Sequence, residues 1–177
     1  MDIKYVQMHT REQKALGEII REEWPDLKKG ISGFEDYWLN RSFFTEALVV
    51  TENGIVIGGN YMTNHEKELS KFEKEMQLRP EKNNIEAEFI VLNSDFRNRG
   101  IGSQLMKFMQ KTYLVEKGFE SIILQSNIIE SQQFYERHGG IILFKDKSEK
   151  TQYHPVWKKD VLSEGTIFMY TPESCKV

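Results

Sequence analysis

The stretch FRNRGIGSQLMKF, Phe96 to Phe108, decides how the chain is read. Two glycines and two arginines stand directly in front of an amphipathic run. Glycine weakens a helix, so Gly100 and Gly102 at a helix start point to a ligand that approaches the backbone closely. A preceding apolar segment, IEAEFIVL from Ile85 to Leu92, has the composition of a strand. Strand, turn, glycines and helix, in that order, leave backbone N–H groups open at a helix N-terminus. Those groups and the helix dipole bind anions, phosphate above all. Arg97 and Arg99 add positive charge, so the expected ligand is a phosphorylated cofactor.

The known phosphate loops narrow the choice. A P-loop needs a lysine and a serine or threonine after its second glycine, and the chain has no such run. A dinucleotide fingerprint needs a third glycine, and Leu105 stands in its place.

Outward from this stretch the chain punctuates itself clearly. Ile3 to Met8 reads as a strand, Thr10 as an N-cap, and Leu16, Ile19, Ile20 and Trp24 as one helical face that ends before Pro25. A second helix is expected from Gly33 or Phe34 to about Phe44. Glu46 to Thr51 and Ile55 to Met62 flank Asn53-Gly54, a strong hairpin signal. Gly58-Gly59 inside the second strand marks a bulge or a close backbone approach. The segment 65–84 is highly charged and reads as a solvated insertion, with a lid or partner-binding segment as the alternative.

Past the opening stretch, the helix runs from about Gly100 to Lys117, closed by Gly118. A buried strand follows at Ser121 to Gln125, then a short helix at Glu130 to His138, and strands at Ile141 to Phe144 and Thr166 to Tyr170. A polar connection, about 146–164, precedes the last strand. Hairpins mixed with crossovers predict an α/β (α+β) fold: a mixed, mostly antiparallel central sheet of about seven strands flanked by helices. With 177 residues and no low-complexity linker, a single domain over 1–177 is expected.

Hydrophobic content of 39% and charged content of 29% suit a chain that buries a real core. The formal charge of −3 gives no global attraction to nucleic acid. One cysteine, Cys175, allows no internal disulfide and no multi-cysteine metal site. His9, His65 and His154 lack metal spacing, so no metal is expected, and His138 reads as a helix-end residue. The first residues, MDIKYVQMHTREQK, lack a basic region followed by an apolar run, and no apolar run approaches the ~20 residues that span a bilayer. A cytoplasmic protein without membrane contact is the expectation.

Two motifs carry a family resemblance. Arg97-Asn98-Arg99-Gly100-Ile101-Gly102 matches Arg/Gln-x-x-Gly-x-Gly/Ala, the pyrophosphate motif of the GCN5-related N-acetyltransferases (GNAT). Downstream, the run Asn127 to Gly140, with Phe134-Tyr135-Glu136 inside it, resembles the family's second signature. Gly140 departs from the usual aromatic, a change expected to alter packing rather than chemistry. The similarity covers roughly residues 3 to 170, with its core from Glu86 to Phe144.

The resemblance implies the acyl-CoA N-acyltransferase fold and an enzyme that uses acetyl-CoA. In that fold the strand before the motif splays from its neighbour at a bulge, and the cofactor's pantetheine arm pairs with the exposed edge. Backbone atoms of Leu92 and Ile90 map onto this pairing. Amides of Arg97, Asn98, Arg99, Gly100, Ile101, Gly102 and Ser103 map onto the pyrophosphate site, and Asn127 onto a contact with the cofactor arm. Tyr135 maps onto the residue that often protonates the departing thiolate.

Transfer to an amine also needs a base, because only the neutral amine is nucleophilic. Glu86 and Glu88 are the candidates, and period-two alternation would place both on one face with Ile90 and Leu92. Glu86 stands at the distance from Arg97 that some histone-type members give their catalytic glutamate. Tyr37, Trp38, Tyr61, Tyr153 and Trp157 are either an aromatic wall for a cationic amine or ordinary core and rim residues. The expected activity is direct transfer of an acetyl group from acetyl-CoA to a primary amine of a small molecule, peptide or protein, with a homodimer as the assembly to test. A non-catalytic acyl-CoA sensor or docking module on the same scaffold is the alternative.

Overall fold

The computed structural model describes residues 1–7, 9–24, 44–63, 84–126, 128–144, 152–154, 159–161 and 166–175. The expected helix around 34–44, the charged insertion up to residue 83, Asn127, Tyr37, Trp38 and Trp157 lie outside them. Seven strands join into one mixed sheet, ordered β1-β2-β3-β4-β5-β9-β6. These strands are β1 (Asp2–Val6), β2 (Phe44–Glu52), β3 (Ile55–Thr63), β4 (Asn84–Leu92), β5 (Ser121–Ser126), β6 (Ile141–Phe144) and β9 (Thr166–Tyr170). The described residues fall into two compact units, one within Met1–Thr63 and Ala87–Leu105, the other within Asn64–Glu86 and Met106–Val177.

The first unit is organised by helix α1 (Arg11–Glu23). Thr10 caps it, its Oγ1 accepting from the Gln13 amide at 3.2 Å, which satisfies one of the donors left open at a helix start. The apolar face of Leu16, Ile19 and Ile20 packs with Val6, Ala47, Val49, Tyr61 and Val91. Each fully buried aliphatic side chain there contributes about 2 kcal/mol. Tyr61, wholly buried, is part of this core and not of an acceptor wall. Its hydroxyl accepts from Gln13 Nε2 at 2.6 Å and donates to the Gln13 carbonyl at 3.1 Å, so this buried phenol is satisfied.

β1 and β2 are antiparallel, with Tyr5 opposite Leu48, and β2 turns into β3 through Asn53 (φ 52) and Gly54 (φ 78). Positive φ at both central residues matches strand twist in a two-residue hairpin. The Gly58-Gly59 pair is a close approach, as expected. A Cβ at Gly59 (φ 153) would run into the Leu48 carbonyl, and one at Gly58 into the Val91 carbonyl.

The second unit contains β5 and β6, both antiparallel to β9, with Leu124 opposite Phe168 and Ile141 opposite Met169. Its buried side chains include Tyr113, Ile122, Leu124, Phe168 and Tyr170. Helix α2 (Ile101–Gln110) runs on into a π-helical turn, Lys111–Glu116, and Gly118 (φ 71) ends it. In that turn the Lys117 amide donates to Thr112, one residue further back than in an α-helix. Helix α3 is Ile129–Arg137 and α4 is Pro172–Cys175.

One expectation needs correction. The connection before the last strand is not wholly irregular: β7 (Gln152–His154) and β8 (Lys159–Val161) form a separate antiparallel pair. Strands of three residues are too short to show alternation in a sequence.

Candidate active site

β4 carries the first unusual feature. Phe89, in mid-strand, has φ 52, a left-handed conformation rare for an aromatic residue. Its ring meets the Trp24 ring edge-on at 5.6 Å, just past the end of α1. Such a residue is a bulge, and a bulge changes which face the flanking side chains occupy.

The neighbours of β4 record that change. Thr63 shares a face of β3 with core residue Tyr61, and its hydroxyl donates to Glu88 Oε1 at 2.8 Å. Gly58 is on the opposite face of β3, where an added Cβ would lie 2.6 Å from Leu92 Cδ2. Glu88 and Leu92 therefore sit on opposite faces. Simple alternation placed them together; the left-handed Phe89 between them is the reason it fails.

Beyond Leu92 the chain makes a tight 3-10 turn, Ser94–Phe96. Asn93 anchors it, donating its amide to Ile57 at 2.9 Å and accepting from the Asp95 amide at 3.1 Å. The Arg97 amide is also engaged, donating to Ser94 at 3.2 Å. The backbone then passes through Asn98 (φ 61) and Gly100 (φ 74) into α2. The first rung of α2 is the Gln104 amide donating to the Gly100 carbonyl at 3.2 Å. The amides of Ile101, Gly102 and Ser103 precede that rung and have no acceptor within the helix. A Cβ on Gly100 would meet nothing within 4 Å, so open space lies over the turn. Left-handed Asn98 and Gly100, open amides and vacant space together fit a diphosphate.

The two arginines do other work. Arg97 Nη2 pairs with Glu23, the last residue of α1, and Arg97 Nε donates to the Leu92 carbonyl at 3.0 Å. Arg99 grips Glu52 at 3.1 Å, and its guanidinium stacks 5.2 Å from the Phe96 ring centroid. Both cations are balanced by carboxylates, so the electrostatic pull on an anion falls chiefly to the main chain and the helix dipole.

In α3, Tyr135 is half-buried between Phe134 (5.4 Å) and Phe168 (5.3 Å). Burial pushes its hydroxyl pKa up to about 12, so the phenol is protonated at neutral pH and available as a donor. Its carbonyl accepts from Gly140 N at 3.0 Å and Tyr170 Oη at 3.2 Å. A Cβ at Gly140 would lie 3.0 Å from the Tyr170 hydroxyl, so the missing side chain makes room for that contact. His138 binds the Phe134 carbonyl through Nδ1 at 2.7 Å and accepts from Gln110 through its own carbonyl, a structural role. Glu86 is half-buried on β4. Among the described residues no group of three His, Cys, Asp or Glu could hold a metal ion.

Sequence reading did not single out Glu23, Glu52 or Thr63. All three end regular elements, where polar residues are commonplace, and gain meaning only from partners distant along the chain.

No curated protein matches the chain at a significant level. Solved structures do. Tetrahymena GCN5 superposes with a TM-score of 0.68 at 15% identity, covering 97% of this chain and 96% of that one. Aminoglycoside 6′-acetyltransferase type Ii gives 0.62 at 17% identity, with 97% of each chain covered. PaiA N-acetyltransferase from Thermoplasma acidophilum, solved in complex with coenzyme A, gives 0.60 at 16% identity, covering 97% of this chain and 99% of that one. At such identities the likeness establishes the fold. The family itself follows from a sequence model described as Acetyltransferase (GNAT) domain, which matches residues 44–139, more than half of the chain and the whole span from β2 through α3. The chain belongs to the GNAT acetyltransferase family.

Proposed function

We propose that residues 1–177 act as one N-acetyltransferase domain that moves an acetyl group from acetyl-CoA to a primary amine of a small molecule, peptide or protein, directly within a ternary complex. The observation that carries this reading is the open N-terminus of α2, where left-handed Asn98 and Gly100 lead into amides without helical acceptors, directly after a bulged strand. Acetyl-CoA supplies an activated acyl thioester and a diphosphate handle. The amides from Asn98 to Ser103 hold the diphosphate. Main-chain groups of Ile90 and Leu92, past the Phe89 bulge, hold the pantetheine arm, with Asn127 as a further contact.

Protons need two groups. The Tyr135 hydroxyl, protonated at neutral pH, gives one to the departing sulfur. Glu86 or Glu88 takes one from the amine, directly or through a water. The Thr63 hydrogen bond favours Glu88, because it fixes the orientation of that carboxylate. An amine acceptor accords with a carboxylate base.

Thiol release from acetyl-CoA in the presence of aminoglycosides, polyamines, amino acids and peptides tests the reading. Amine-dependent release supports it. Tight CoA binding with no release under any acceptor would favour a sensor, and absence of CoA binding would overturn both.

A further inference from the structure

We propose that Glu23 is a positioning residue for the diphosphate cradle, an inference that rests on the cradle reading above. Glu23 ends α1, far from the glycine motif in sequence, yet both its carboxylate oxygens are directed at the loop that leads into α2. Oε1 accepts from the Ser94 amide at 2.8 Å, and Oε2 from Arg97 Nη2. The same guanidinium reaches back through Nε to the Leu92 carbonyl at 3.0 Å. Glu23, Ser94 and Arg97 thus form a closed ring of hydrogen bonds, because the Arg97 amide also donates to the Ser94 carbonyl, and the Arg97 guanidinium ties Leu92 to it. That ring fixes the turn immediately before Asn98 and Gly100.

Two further observations separate this role from that of an incidental surface ion pair. Glu23 has only 14% of its side chain exposed, against 49% for Arg97, so the carboxylate is the better-buried partner of a pair whose cation stays open to solvent. A carboxylate at a helix C-terminus also opposes the helix dipole, so α1 itself gains nothing from it. Among the described residues its hydrogen-bond partners are Ser94 and Arg97, both in the loop. A negative charge near an anion site would normally repel the ligand, but pairing with Arg97 cancels it. The next residue, Trp24, packs on Phe89, so the end of α1 holds the bulge as well as the turn. In this arrangement α1 sets the direction in which the amides of Ile101, Gly102 and Ser103 point.

The test compares acetyl-CoA with acetyl-pantetheine, which carries the same thioester arm without the diphosphate. Glu23→Ala should raise the KM for acetyl-CoA about tenfold with kcat nearly unchanged. It should lower kcat/KM for acetyl-pantetheine by a clearly smaller factor, about threefold or less, because Ile90, which none of these hydrogen bonds touches, still holds the arm. Glu23→Gln, nearly isosteric and safe for folding, should show the same split at smaller size. CoA binding by calorimetry should weaken in parallel. Equal losses with both thioesters would mean a general structural role, and would overturn the proposal. So would unchanged or tighter CoA binding in Glu23→Ala while the wild type binds normally. Failure of the wild type to bind CoA would instead remove the cradle reading on which the proposal stands.

Discussion

The Thr63 hydroxyl donates a 2.8 Å hydrogen bond to Glu88 Oε1, across two strands of the same sheet. A hydroxyl donor holds a carboxylate in one orientation. If Glu88 takes the proton from the amine, Thr63→Val should alter the acid limb of kcat/KM, because the carboxylate loses the hydroxyl that holds it. Glu88→Gln should lower the rate roughly 100- to 10,000-fold and remove that limb. A pH–rate profile unchanged in both variants, but altered in Glu86→Gln, would move the base to Glu86.

Tyr135 should behave as a donor of protons and not as a binding group. Tyr135→Phe keeps the packing against Phe134 and Phe168 and removes only the hydroxyl. It should lower kcat by about 10- to 1,000-fold while CoA affinity stays within about twofold. An undiminished kcat would take Tyr135 out of the mechanism.

Stability should fall on the alkaline side. Burial raises the hydroxyl pKa of Tyr61 and of Tyr135 to about 12, and raises that of Tyr170 as well. Below pH ~10 these phenols are protonated in both folded and unfolded chains and give no pH dependence. Between about 10 and 12 the unfolded chain loses protons that the folded one keeps, so unfolding becomes easier as pH rises. Each such tyrosine should contribute a slope of about 1.4 kcal/mol per pH unit. Urea unfolding at stepped pH should show this fall, and Tyr61→Phe should reduce the slope. A flat profile up to pH ~12 would contradict the burial argument.

The β2–β3 pairing depends on Gly59. Its φ of 153 and the Leu48 carbonyl in the path of any Cβ leave no room for alanine. Gly59→Ala should destabilise the protein by about 1–3 kcal/mol in chemical denaturation. A change below about 0.5 kcal/mol would show that the strand can open there without strain.

Much of the fold was legible because its signals are local. Asn53-Gly54 named a hairpin, Thr10 a helix start, Gly118 a helix end, and the strands at 141–144 and 166–170 stood out as apolar runs between turn residues. The left-handed turn into α2 was legible for the same reason, since Gly100 and the helix after it are neighbours in sequence. What stayed hidden is non-local. Phe89 looks like an ordinary strand aromatic, and its left-handed backbone emerges only against the Trp24 ring and the flanking strands. The arginines read as free cations because Glu23 and Glu52, which balance them, are far away along the chain. The β7–β8 pair is too short to leave a periodic trace.

The central claim is that main-chain amides from Asn98 to Ser103 hold the diphosphate of coenzyme A. Titration of Gly100→Glu with CoA, followed by calorimetry beside the wild type, tests it most directly. The variant places a carboxylate in the open space over the turn and a side chain on a backbone at φ 74. The account predicts tight CoA binding by the wild type and a loss of at least about 100-fold in the variant, with the fold retained by circular dichroism. Equal CoA affinity in the two proteins would contradict it.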